Sequence, residues 1–124
     1  MGFADAIRTC LNKYVTISGR ARRAEYWWWI LFIVLGSIGA TVIDAVLFGV
    51  DPEEGNGLLA ILFSLGTLLP TICVGGRRLH DHDMSAWWLL LGLIPLIGGL
   101  VLIVLFIMKG TEGSNRFGPD PLRA

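Results

Sequence analysis

Apolar and polar residues in this chain are segregated into long blocks. Three apolar blocks stand out: residues 27–50, whose one charge is Asp44, and residues 57–76 and 86–108, which carry none. A hydrocarbon layer about 30 Å thick is crossed by roughly 20 helical residues at about 1.5 Å each. Each block meets that length. Inside hydrocarbon a free N–H or C=O finds no partner, so the pattern predicts helices. The first block starts only at residue 27 and is too long for the apolar region of a signal peptide, so it is expected to be a permanent anchor.

The third block is interrupted near its middle by Ile94-Pro95-Leu96-Ile97-Gly98-Gly99. Pro95 removes a helical hydrogen bond and the glycines loosen the next turn. Two readings follow. One is a single kinked crossing, with the tail on the far side. The other is a re-entrant hairpin, or two very short helices, with the tail back on the starting side. Each half has about eleven residues, or roughly 17 Å, short of a normal crossing. Length favours the first reading and charge, below, the second.

Ahead of the blocks, Phe3, Ile7, Cys10, Leu11 and Tyr14 recur at helical spacing, while Asp5, Arg8, Thr9, Asn12 and Lys13 lie mostly away from them. Residues 3–17 are therefore expected to form an amphipathic helix that lies on the membrane surface or packs under the bundle, with a break at Ser18-Gly19.

Composition narrows the class. Of 124 residues, 54% are hydrophobic and 16% charged, with mean hydropathy +0.66. A soluble domain is usually about a quarter charged. Low polarity excludes disorder, and ten basic against ten acidic residues, at pI 6.7, argue against a nucleic-acid partner. The expected fold is an all-α integral membrane protein in one domain: an N-terminal interfacial helix followed by three hydrophobic segments, the third broken near 95–99, making three or four membrane helices.

Charge sets the expected orientation. Arg8, Lys13, Arg20, Arg22 and Arg23 precede the first block; the loop 51–56 has no basic residue; Arg77 and Arg78 fall in the second loop; Lys109, Arg116 and Arg123 lie in the tail. The positive-inside rule puts the N-terminus and second loop in the cytoplasm and the acidic loop outside. Trp27, Trp28, Trp29, Trp87 and Trp88 would mark that interface. The basic tail inclines towards the same side.

The segments Ser18-Gly19-Arg20-Ala21-Arg22-Arg23-Ala24-Glu25-Tyr26-Trp27, Arg77-Arg78-Leu79-His80-Asp81, Ser85-Ala86-Trp87-Trp88, Ile94-Pro95-Leu96-Ile97-Gly98 and Asn115-Arg116-Phe117-Gly118-Pro119-Asp120-Pro121 resemble, in order and spacing, motifs of the bacterial domain-of-unknown-function 805 family. The resemblance covers nearly the whole chain and implies a small helical inner-membrane protein. It implies no activity. His82 stands where that family usually has a small polar residue, and Met84 where a basic one is common.

The charged motifs are the main candidate for interaction. With a cytoplasmic tail, Arg20, Arg22, Arg23, Glu25, Arg77, Arg78, His80, Asp81, Asn115, Arg116 and Asp120 share one face. Bidentate guanidinium–carboxylate pairs would organise it, and Arg116 and Asp120 would close it through the Gly118-Pro119 turn. Arg20, Arg22 and Arg23 are also placed to meet anionic headgroups. Asp81 is expected to pair with Arg77 or Arg78, and Asp83 or Ser85 to cap the next helix. His80 and His82 make a poor metal pair on a helix, since residues two apart point to different faces; no metal and no cofactor is expected. Cys10 and Cys73 read as small apolar fillers.

Within the membrane, Asp44 is the one ionisable residue, either in an ion-handling role or reaching to the outer interface. Ser64, Thr67 and Thr71 share a helix face, Gly36 with Ala40 forms a small-residue contact, and Pro70 is expected to kink the second helix, with Gly66 giving room. The functional expectation is a non-enzymatic assembly, accessory or regulatory subunit in contact with anionic lipid, working through a membrane-protein partner or self-association. The alternative is a small oligomeric channel or transporter. No nucleophile–base pair or phosphate loop supports an enzyme.

Overall fold

The computed structural model describes residues 1–55 and 57–122; Asn56 of the acidic loop and Arg123 of the basic tail lie outside the described residues. Helix α1 spans Phe3–Asn12, α2 Arg23–Phe48, α3 Leu58–Asp81 and α4 Ile97–Ile107, with 3-10 segments at Pro52–Glu54 and Ala86–Leu93. The protein is a small helical membrane protein. Helices α2 and α3 have the length and mean hydropathy, 2.4 and 2.1, to cross a bilayer. Only 6% of the most apolar window of α2 is buried, so its side chains face outward, as a lipid solvent allows and water does not.

Both long helices extend beyond their apolar blocks at the same end of the molecule. α2 begins four residues before Trp27, and α3 runs five past Gly76. Arg77 and Arg78, expected in a loop, therefore sit in the last turns of α3. Positive charge is favourable at that end of a helix. α1 is shorter than the apolar spacing suggested. It ends at Asn12, and a turn closed by Thr16 N–H on the Lys13 carbonyl leads into an extended linker. Gly19 does take a left-handed φ of 89°, but seven residues past the helix end. α1 packs through Ala6 and Cys10 against α2, while Phe3 meets Trp28 edge to face.

The third block is a hairpin. Ala86–Leu93 leaves the charged end as a 3-10 segment, with Ser85 Oγ accepting from Trp87 N–H at its start. Leu96 takes φ 65°, unusual for a branched residue, and Gly98 lies so close to the Leu91 carbonyl that a Cβ would collide with it. α4 then returns, ending against Arg78 through its Phe106 and Met108 carbonyls. Eight residues at about 2.0 Å and eleven at about 1.5 Å each give arms of roughly 16 Å, half a hydrocarbon core. Neither arm is long enough to cross.

Aromatic and small residues join α2 to α3. Trp29, expected at the interface, is instead fully buried and donates Nε1–H to Thr71 Oγ1 at 3.0 Å. Gly36 admits the Phe63 ring, which any Cβ there would strike. Of the expected polar face, only Thr71 bonds the neighbouring helix. Thr67 turns back to the Phe63 carbonyl at 2.8 Å and Ser64 is exposed. Gly66 borders open space, so it is not needed to clear room for Pro70. Its carbonyl has another use. Pro70 has no N–H for the carbonyl four residues earlier. That carbonyl belongs to Gly66, and the Tyr14 hydroxyl donates to it.

Candidate functional site

The charged motifs meet at the end where α2 starts, α3 and α4 stop, and the tail folds back. Ala21 N–H donates to the Arg77 carbonyl at 3.0 Å, fixing the linker beside α3. Three guanidiniums, those of Arg20, Arg77 and Arg78, are buried here with the carboxylates of Glu25 and Asp81. A buried charge is costly unless paired and fully hydrogen-bonded.

Asp81 is the hub. Its Oδ1 accepts from Arg20 Nε at 2.9 Å, and its Oδ2 accepts from Arg78 Nη1 at 2.5 Å. Arg20 then reaches the tail, donating to the carbonyls of Thr111 (2.6 Å), Gly113 (2.6 Å) and Gly118 (3.2 Å). Arg78 turns the other way and donates to the carbonyls of Ala21 (3.3 Å), Phe106 (3.1 Å) and Met108. Helix ends leave carbonyls without partners. At the end of α4 these are taken by Arg78, by Trp27 Nε1–H on Phe106 (3.1 Å) and by Arg23 on Ile107 (3.2 Å). Gly110 lies against the Asp81 carboxylate, where a Cβ would collide.

Arg77 forms a second centre. It pairs with Glu25 and donates Nε–H to the Thr16 carbonyl at 3.1 Å. Cys10 Sγ lies 3.8 Å from the same Glu25 oxygen. Burial, and secondarily the Glu25 charge, push the Cys10 thiol up to about 12, so it stays protonated and a poor nucleophile. Cys73 is buried in α3.

Asp81 pairs with Arg78, one of its two expected partners, and also with Arg20. Arg22 donates to the Pro121 carbonyl at 2.6 Å. His80 stacks on Phe117, with ring centroids 3.9 Å apart, and its Nδ1 contacts the Gly19 carbonyl at 2.9 Å, while Asn115 donates to the His80 carbonyl at 2.9 Å. Arg116 does not close the buried network. It lies 65% exposed and pairs with Asp83 at 3.2 Å, because the Asn115–Gly118 turn points its side chain outward. Its backbone amide and guanidinium hold the Asp83 carboxyl below the usual range. Asp120 accepts from Gly113 N–H at 3.0 Å and Leu122 N–H at 3.0 Å, which shapes the tail.

His82 sits apart from His80, and burial lowers its pKa. Among the described residues no group of three His, Cys, Asp or Glu side chains converges to hold a metal ion.

At the opposite end, Asp44 is 1% exposed, with its carboxylate turned to α3. Its Oδ1 accepts from Leu59 N–H at 3.2 Å and its Oδ2 from Ala60 N–H at 3.0 Å. Gly57, at the N-cap of α3, has no side chain to do this. The carboxylate of α2 therefore caps the first turn of α3, where negative charge is favoured.

The sequence pattern of a family described as "Protein of unknown function (DUF805)" matches residues 14–119, which include both ionic centres. The chain belongs to the DUF805 family. It is 47% identical over 111 residues to Inner membrane protein YhaH of Escherichia coli (strain K12), covering 90% of this chain and 91% of that protein. It is 44% identical over 111 residues to Inner membrane protein YhaI of the same strain, covering 90% of each. A more distant likeness, 28% over 131 residues and 85% of each chain, is to Uncharacterized protein YiiR. No solved structure matches significantly. The DUF805 match begins at Tyr14, the residue that satisfies the Gly66 carbonyl, and ends at Pro119, just past the carbonyls held by Arg20.

Proposed function

We propose that this DUF805 protein is a non-enzymatic scaffold of the bacterial inner membrane, with both termini in the cytoplasm and an assembly or accessory role exerted through a prefolded cap. The observation that carries this reading is the internal use of the charged motifs. Arg20, Arg77 and Arg78 satisfy carboxylates and carbonyls of the linker, α3, α4 and the tail. They build a shaped surface rather than offering reactive groups. What that cap presents outward is a mixed-charge surface: Arg8 with Asp5, Lys109 with Glu112, and Arg116 with Asp83. Mixed charge around a preorganised surface suits protein docking and its specificity.

Orientation follows from the positive-inside argument, with the hairpin returning the tail to the basic side. The channel alternative draws no support from Asp44, whose two oxygens both bond α3 amides.

The test has two parts. A reporter fused to the C-terminus should read out cytoplasmic. A photo-crosslinking residue at position 116, in native membranes, should give a discrete adduct that weakens when Asp83→Lys reverses the outward charge. A periplasmic C-terminus, or the absence of adducts from positions 8, 109 and 116 alike, would overturn the proposal.

A further inference from the structure

A groove runs down the outside of α2 from the charged end. At its top a cavity of about 230 Å³ is lined by Arg22, Arg23, Ala24, Lys109 and the wall formed by Asp81 and Gly110. Below it a space of about 500 Å³ is bounded by Arg23, Ala24, Trp27 and Ile107. Below that, a further 230 Å³ lies among Ala24, Trp27, Trp28 and Leu31. Shared residues make these one path, and positions 24, 27, 28 and 31 recur at helical spacing on one face.

Polarity changes along the path. The top holds Arg22 and Arg23 together with Lys109, whose ammonium also meets Glu112 at the exposed rim at 2.8 Å, while the Asp81 carboxylate in the wall is already engaged by Arg20 and Arg78. Arg22 and Arg23 each donate to a backbone carbonyl, and among the described residues neither is paired with a carboxylate. The positive end of α2 adds to the field there. Below, the groove is indole and aliphatic. By contrast the cavity of about 460 Å³ beside Ile17, Ile72 and Trp87 has His80 as its one ionisable group, and the His80 Nδ1 is engaged with Gly19.

From this order of charge and apolar surface we infer that the groove binds one anionic phospholipid. Its phosphodiester sits between Arg22, Arg23 and Lys109, and an acyl chain lies along Ala24, Trp27, Trp28 and Leu31. A free phosphate would match the top and leave the apolar path unused. The inference stands whether or not the cap docks a protein.

The test uses the full chain carrying Trp87→Phe and Trp88→Phe, so that exposed tryptophan emission comes from Trp27 and Trp28. It is reconstituted in equimolar phosphatidylcholine and phosphatidylglycerol, with brominated acyl chains on one lipid or the other. Brominated phosphatidylglycerol should quench more strongly. That preference should fall about fivefold in Arg23→Gln and again in Lys109→Gln. It should persist in the charge-conserving Arg23→Lys and in Arg116→Gln, a basic position away from the groove. Added glycerol phosphate should not reverse it. Equal quenching by the two lipids, an undiminished preference in the Arg23→Gln, Lys109→Gln double variant, or the same loss in Arg116→Gln would overturn the inference. So would displacement by glycerol phosphate, which would assign the cations to a soluble anion.

Discussion

The two ends of this molecule meet the same demand in opposite ways. Each must satisfy the bare backbone of a helix terminus where water is scarce. At the acidic-loop end one carboxylate, Asp44, takes two amides of α3. At the charged end Asp81, Arg20 and Arg78 share partners with three chain segments, and Trp27 and Arg23 reach the same α4 terminus as Arg78. The first is a joint between two neighbouring helices. The second ties together elements as distant in sequence as Arg20 and Gly118, and so fixes the topology.

That contrast predicts unequal costs of damage. Arg78→Leu should do the most harm, about 3–5 kcal/mol, because it leaves Asp81 and the α4 carbonyls short of partners in a dry site. Thermal unfolding in detergent should show it, with the tail becoming protease-sensitive at the same time. Asp44→Ala should cost about 2 kcal/mol, a typical upper value for a lost N-cap. It should leave the tail protected, and Asp44→Asn should cost less because one acceptor survives. A larger loss from Asp44→Ala than from Arg78→Leu would reverse the ranking of the two ends. Tyr14→Phe sharpens the comparison midway, since the Gly66 carbonyl has no helical donor; about 1 kcal/mol is expected.

The smallest effect is at the exposed rim. Asp83 is held below its ordinary value by Arg116, so the ionised form favours the folded tail. That contribution is present above the unfolded carboxylate value, near 4, and is lost as pH falls through the lowered folded value. Tail protection should therefore weaken in acid, and Arg116→Gln should reduce the dependence without removing it, because the backbone amide of residue 116 still donates to Asp83. Proteolysis across pH, compared between parent and variant, measures it.

How much of this was legible in the sequence differs between the ends as well. Block lengths gave the membrane class, and Pro95 with Gly98 marked the break. The charged residues were recognisable as one group, but their direction was not. Arg20 turns inward because tail carbonyls at 111, 113 and 118 come within reach, a fact of tertiary closure that local pattern does not carry. Arg116 was misassigned for the same reason, since the turn that aims it outward is set by the Asn115–Gly118 pairing. Asp44 had a usable signal. α3 starts at Leu58 with the side-chain-free Gly57 as its N-cap, and a carboxylate lies near the end of the preceding helix.

The half-depth hairpin also decides the protein's silhouette. Near the charged end the cross-section contains α1, α2, α3 and both hairpin arms, while near the acidic loop it contains only α2 and α3. The molecule therefore tapers from its charged end to a bare pair of helices at the acidic loop.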